Sequence, residues 1–267
     1  MKVSEKDSKR KKGFIAIIVV ALVVLVASSA YIANYYKRQS DAQKAYEKLQ
    51  AAVEIQTQLQ EKKLPESEEL TETVKVEIPV DFQMLKETNP DIYAWIHIPG
   101  TEVDYPIVQS PTDDSYYLNH TIDGVKGLPG SIYTESLNNK EFTDPNTLIY
   151  GHNMRNKTMF GGLHSYADNL FFQENPYIYI YTPEKILKYE IFAAYTADDR
   201  HILKKYNFEI PELFQGYLDS IFTIRSMGAS FNKELELTNE DRIISLSTCN
   251  SVDDQRWLVQ AVLIEGE

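Results

Sequence analysis

Three side chains in this sequence have the types and placement to act together on a carbonyl. Cys249 is the only cysteine, and a thiol becomes an effective nucleophile when a neighbouring group takes or shares its proton. Among the five histidines, His152 is the best placed partner. It follows Thr147-Leu148-Ile149-Tyr150 and then Gly151, so the imidazole falls at the end of a strand, where glycine lets the chain turn. Cys249 ends the strand-like run of residues 243–248, and Arg256 opens the run of residues 257–264 across the polar, turn-prone Asn250-Ser251-Val252-Asp253-Asp254. Across so short a loop a guanidinium can reach the oxygen on which charge develops as sulfur attacks, and its fixed donors suit that task. The competing reading of Arg256 is a surface ion pair with Asp253 or Asp254. Ser247 and Thr248 place hydroxyls beside the thiol, although both residue types also occur readily in strands. His97 alternates with Trp95 inside a strand and reads as structural, while His120, His164 and His201 fall in polar loops and read as surface residues. No two histidines have ligand spacing, and one cysteine cannot build a thiolate zinc site.

The elements that must carry these groups are mostly strands. Apolar and β-branched runs bounded by turn residues occur at 94–98, 103–108, 131–133, 147–150, 177–181, 186–195, 243–248 and 257–264. Eight short strands imply a barrel or a sandwich. Pro106 lies inside the second, which points to an edge or a bulge there. Residues 159–170 read as a helix just after His152. A second helix is expected at 211–221, with Leu213, Phe214, Tyr217, Leu218 and Ile221 on one face behind Pro211. It lies within a connection of residues 196–239, long enough to form the wall or lid of a site.

The N-terminal third is organised differently. Residues 1–12 carry six basic side chains against Glu5 and Asp7, so this tail is +4 and the remainder of the −12 chain is −16. An acidic remainder argues against a nucleic-acid partner. Residues 13–33 are uncharged and apolar over the length that a helix needs to cross a bilayer. The stronger basic cluster precedes the span, and Tyr31, Tyr35 and Tyr36 sit at its far edge, so the expected topology is a cytoplasmic N-terminus with the rest outside. Small residues at 27–30 offer a signal-peptidase site as the rival reading, but the apolar character continues through Ile32 and Ala33. Residues 34–77 are expected to be a helical stalk and linker. Ala42, Ala45, Tyr46, Leu49 and Val53, with Ile55 and Leu59 beyond them, mark a modest apolar stripe, either packed on the domain or solvated, and 64–77 is acidic and linker-like. The folded domain is expected over 78–267. Outside the cell a single cysteine has no disulfide partner within the chain, which leaves it a bystander or a working nucleophile.

These residues also resemble a known family. Ser245-Leu246-Ser247-Thr248-Cys249 is similar to the T-L-x-T-C signature of sortases, with Ser in place of the first Thr, and Arg256-Trp257-Leu258-Val259 is similar to their arginine-led last strand. Leu148-Ile149-Tyr150-Gly151-His152-Asn153-Met154 resembles the family's histidine motif. The likeness runs from about Asp81 to the C-terminus and includes Trp95-Ile96-His97-Ile98-Pro99-Gly100-Thr101 and Met159-Phe160-Gly161. A helix before the first strand and a helix-bearing insertion between strands six and seven resemble class B sortases.

The resemblance implies a mainly β fold, an eight-stranded sortase-type barrel. It implies a membrane-anchored cysteine transpeptidase of a Gram-positive bacterium that cleaves a C-terminal sorting signal of LPxTG or NPxT type after threonine. Cys249 would form the thioacyl-enzyme, His152 would serve as acid and base, and Arg256 would hold the substrate backbone or the oxyanion. The long connection, with Tyr195, Thr196 and the helix over residues 213–221, would build the groove together with Ser247 and Thr248. Asn119 is a further candidate there, its alternative being a turn-forming role. No metal or organic cofactor is implied. The implied partners are surface proteins bearing the signal and an amine of lipid II or the peptidoglycan cross-bridge, or alternatively a pilin lysine. Two readings stand against this one. Papain-like peptidases or wall hydrolases place cysteine before histidine at a helix start, and a noncatalytic surface receptor on a β-barrel would leave the thiol incidental.

Overall fold

The computed structural model describes residues 2–61, 78–250, 252 and 254–266. Its chain divides into two compact units, Met1–Lys44 and Ala45–Glu267. The described residues of the first belong to helix α1 (Lys2–Glu61). Its side chains from Phe14 to Val26 are exposed, and the helix is long and apolar enough to cross a membrane, with a mean hydropathy of 2.8 over its most apolar window. Segment 64–77, read from sequence as a linker, lies outside the described residues, as do the side chains of Ile55 and Leu59.

The second unit begins within the same helix, and here the stripe at residues 46, 49 and 53 is a packing face. Tyr46, Leu49 and Val53 belong to the main hydrophobic core, Tyr46 Oη donates to Gly130 O at 2.7 Å, and Gln50 Nε2 donates to Asp104 O at 2.7 Å. The short helix α2 (Phe82–Thr88) starts where the Asp81 carboxylate accepts from the backbone amides of Gln83 and Met84, at 2.9 and 3.0 Å. Such a cap satisfies donors that the first helical turn cannot pair, and it lets Phe82 and Leu85 turn into the core.

Nine strands follow among the described residues: β1 (Ile92–His97), β2 (Asp104–Val108), β3 (Ile132–Thr134), β4 (Asn146–Tyr150), β5 (Tyr177–Tyr181), β6 (Ile186–Asp198), β7 (Ser230–Phe231), β8 (Ile243–Cys249) and β9 (Gln255–Gly266). Eight of them close a ring in the order β5-β1-β2-β3-β4-β8-β9-β6, with β6 pairing back to β5. The ninth, β7, is a two-residue strand on the side of β6 inside the long connection, too short to leave a periodic signal in sequence. Closure leaves no long unpaired edge. Pro106 is tolerated because β3 pairs only with Ile107 and Val108, so β2 is still an edge at the proline.

Alternation along the strands divides the apolar residues between two cores. Ile244 and Leu246 of β8, Val259 and Ala261 of β9 and Ile149 of β4 enter the main core. Ile243, Leu258, Val262 and Leu148 face the other way, into a second core beneath helix α5 (Pro211–Ile221), which is preceded by the single turn α4 (Ile202–Lys205). Phe214, Tyr217, Leu218 and Ile221 of α5 are buried as the pattern implies, but Leu213 is exposed. It precedes the buried i, i+3, i+4, i+7 stripe by one residue, roughly 100° off that face.

The helix expected over residues 159–170 is two pieces, a 3₁₀ segment Phe160–Ala167 and helix α3 (Asn169–Glu174). The break falls at Asp168, whose side chain accepts from Leu170 N and Phe171 N and so starts a new helix. Polar capping residues compete with helix continuation in this way.

Candidate active site

The register of three strands assembles the site. Strand β4 runs parallel to β8 with Tyr150 opposite Ser247, and Gly151 N donates to Ser247 O at 3.2 Å. Two residues beyond each partner come His152 and Cys249, so parallel pairing carries an imidazole and a thiol past the same ends of neighbouring strands. Strands β8 and β9 form an antiparallel hairpin whose last rung is Cys249 opposite Arg256. Cys249 and Arg256 follow the alternation of the face that meets the insertion, 247 and 249 on β8 and 256 and 258 on β9, and His152 lies two residues past Tyr150, which ends β4 on that face. Gly151 is needed for room. A Cβ there would lie 2.5 Å from Ile132 Cδ1 and 2.6 Å from Phe160 Cγ.

At the rim Cys249 is exposed, and Arg256 Nη1 donates to its Sγ at 2.9 Å. The guanidinium is thus turned toward sulfur, whereas the sequence left an ion pair with Asp253 or Asp254 open; Asp253 lies outside the described residues. His152 Nε2 donates to Leu118 O at 2.5 Å, which in the neutral ring leaves Nδ1 as the basic nitrogen. His152, Cys249 and Arg256 line one cavity of about 270 Å³ with Leu118, Tyr133 and Glu135 among its other walls. A neighbouring cavity of about 370 Å³ lies under the insertion between α5 and the barrel, and Tyr150, Asp199, His201, Ser247 and Arg256 line both.

The remaining candidates fall around these cavities. Ser247 is buried and lines both. Thr248 is 2% exposed and lines the Cys249 cavity, its Oγ1 without a hydrogen-bond partner among the described residues. Thr196 lines the larger cavity, and its Oγ1 accepts from Asn250 Nδ2 at 3.2 Å. Asn119 is exposed at the end of the 3₁₀ turn Tyr116–Leu118, where its carbonyl accepts from Gly127 N at 2.7 Å; its neighbour Leu118 is the residue that reaches the cavity.

Two histidines read as surface residues are not. His201 caps α4 and meets Glu135 at 2.6 Å, both side chains less than a fifth exposed, on the wall shared by the two cavities. His164 is half-buried, stacks on Trp257 with ring centroids 5.5 Å apart, and bonds the carbonyl of Cys249 at 3.2 Å. Burial pushes its imidazole toward the neutral form, opposed by that bond. His97 is structural as expected, its Nδ1 meeting Asp104 at 3.1 Å between β1 and β2. His120 stacks on Tyr116 with centroids 4.0 Å apart. Sequence missed Glu135, Asp199, Tyr133 and Tyr150 because nothing local marks them as neighbours of the thiol. Burial raises the phenols of Tyr133 and Tyr150, and Glu135 raises them further while Arg256 opposes.

Comparison with known proteins agrees with this geometry. Residues 96–264 match the family model described as Sortase domain. The chain is 34% identical over 200 residues to a sortase B of Listeria monocytogenes, covering 73% of this chain and 78% of that protein. It is 28% identical over 260 residues to a sortase B of Staphylococcus aureus, covering 96% and 99%. Among solved structures, a Staphylococcus aureus sortase B–substrate complex superposes with a TM-score of 0.69 at 27% identity, covering 85% of this chain and 97% of that one. Clostridium perfringens sortase B superposes with a TM-score of 0.62 at 32% identity, covering 69% and 100%. With its closed eight-stranded barrel, its N-terminal helix and a thiol, an imidazole and a guanidinium on one rim, the chain belongs to the sortase family of transpeptidases, in class B.

Proposed function

We propose that Cys249, His152 and Arg256 carry out the transfer of a sorting-signal protein to an amine. The observation that carries this reading is Arg256 Nη1 at 2.9 Å from Cys249 Sγ, with His152 entering the same cavity from the neighbouring parallel strand. The Cys249 thiol passes its proton to His152 as sulfur attacks the carbonyl carbon of the signal's threonine, an S–C bond forms while the carbonyl π bond opens, and the oxyanion finds its counter-charge in the adjacent guanidinium. The C–N bond then breaks as His152 protonates the leaving amine. In the second half His152 takes a proton from the incoming amine, which attacks the thioester and returns the thiol. The groove for an extended LPxTG- or NPxT-type signal is the pair of cavities sharing Tyr150, His201 and Ser247, with Thr196 and Thr248 on their walls. Asn119 lies at the margin through its neighbour Leu118.

The acceptor is a wall amine of lipid II or the cross-bridge. A solved sortase B is complexed with triglycine, which supports a small amine at such a site. A pilin lysine is the second candidate. Residues 13–33 anchor the enzyme in the membrane with residues 1–12 inside and the domain outside, where that acceptor is found; the exposed apolar side chains of α1 support this. Incubating the protein with LPxTG and NPxT peptides and with triglycine or lysine peptides, then weighing the products, tests the reading. Transfer products joined after threonine are expected. Absence of cleavage of every peptide sinks it.

A further inference from the structure

The last residue of β8 leaves a carbonyl that no strand takes up. Ser247 O accepts the final backbone bond from the β4 side, at 3.2 Å from Gly151 N. Two residues on, Cys249 O faces the same side, but β4 has already ended at Tyr150. Two side chains take its place: Asn153 Nδ2 donates at 3.0 Å and His164 Nε2 at 3.2 Å.

Both donors belong to the segment that carries His152. Asn153 is its immediate neighbour, Phe160 N donates to His152 O at 3.0 Å, and Asn153 bridges to Met159, so residues 152–160 form a closed loop. His164 is itself fixed. Its ring stacks on Trp257 at an interplanar angle of 26°, and Trp257 Nε1 donates to Leu163 O at 2.9 Å. Meanwhile the His152 imidazole is bonded to Leu118 O. The relation between imidazole and sulfur is therefore set by the two backbones, and Asn153 and His164 are the side chains that join them.

We propose that Asn153 and His164 are positioning residues that lock the main chain of the nucleophile to the His152 segment. This rests on the reading of Cys249 as the attacking group. Misplacing reacting atoms by an ångström can lower a rate by about two orders of magnitude, so a partial release is expected to lower kcat by roughly tenfold and leave KM within about twofold. Four variants of the full chain in detergent separate positioning from packing. His164→Phe keeps a ring on Trp257 and removes the donor, His164→Gln keeps a donor near Nε2 and removes the ring, Asn153→Ala removes the other donor, and Cys249→Ala is the control. Cleavage of LPxTG and NPxT peptides and the melting temperature are read for each. The expected result is low kcat in His164→Phe and Asn153→Ala, near-parental kcat in His164→Gln, and similar melting temperatures throughout. Parental kcat in His164→Phe, or a loss that His164→Gln shares or that follows a fall in melting temperature, assigns His164 to packing and overturns the proposal. Turnover surviving in Cys249→Ala, or no cleavage by the parent chain, instead overturns the catalytic reading beneath it.

Discussion

At Cys249 a sulfur, a guanidinium and an imidazole come from three strand ends, and removing any one of them is expected to lower turnover. Cys249→Ala is expected to abolish turnover because it removes the exposed sulfur, whereas the Ser247 and Thr248 hydroxyls on the same wall are buried and are weaker nucleophiles than a thiolate. Arg256→Ala lowers kcat by roughly 10²–10³-fold, the usual cost of removing an oxyanion donor. Arg256→Lys does not restore it, since a point charge lacks the fork that reaches sulfur and oxyanion together. His152→Ala falls by a similar order. Steady-state cleavage of a sorting peptide measures all of these, and melting temperatures close to the parent are expected because the three lie at strand ends near the rim. Unimpaired turnover in any of them removes that residue from the mechanism. The strand-end placement of these residues was legible in sequence because residue type and strand-end position are local properties. The roles of His164 and His201 were not, because a histidine in a polar loop looks the same whether it meets solvent, Glu135 or the Cys249 carbonyl.

Among the elements, the insertion between β6 and β8 depends on two kinds of attachment. Its polar attachment is Asp198 at the end of β6, which accepts from Arg200 at 2.9 and 2.7 Å and from Lys205 of α4 at 2.9 Å. Those partners hold the Asp198 carboxyl well below its ordinary value of 3.8. A depressed carboxylate contributes stability above its unfolded pKa and loses it as pH falls through the folded one. Asp198→Asn is therefore expected to lower the melting temperature slightly at pH 7, by about 2 °C or less because the pair is solvent-screened, with the difference shrinking below pH 4. A difference that persists unchanged into acid overturns the assignment. The apolar attachment is larger. Leu218 of α5 is fully buried against the outer face of the barrel, and Leu218→Ala is expected to cost about 3 kcal/mol in denaturant unfolding. α5 was readable from Pro211 and its period, whereas the break at Asp168 was not, since the apolar pattern continues across it and only the side-chain cap marks a new start.

For the whole molecule, the folded unit reaches back into the N-terminal helix to Ala45. Tyr46 is 1% exposed and bonds Gly130 O, so Tyr46→Ala is expected to destabilise by about 3 kcal/mol, whereas Leu22→Ala on the exposed apolar stretch leaves unfolding of the barrel unchanged in detergent. Equal effects of the two would show that the stripe at 46, 49 and 53 is not a packing face. Local patterns were enough to reveal the eight ring strands, the apolar span and the strand-end positions of Cys249, His152 and Arg256, because alternation, hydrophobic length and turn chemistry are written over a few neighbouring residues. Folding in three dimensions was needed to show that β4 lies parallel to β8, that Asn153 reaches a carbonyl 96 residues away, and that Glu135 meets His201 across 66. Ring closure brings such pairs together, and contacts made by closing a sheet leave no trace in the spacing of the residues that make them.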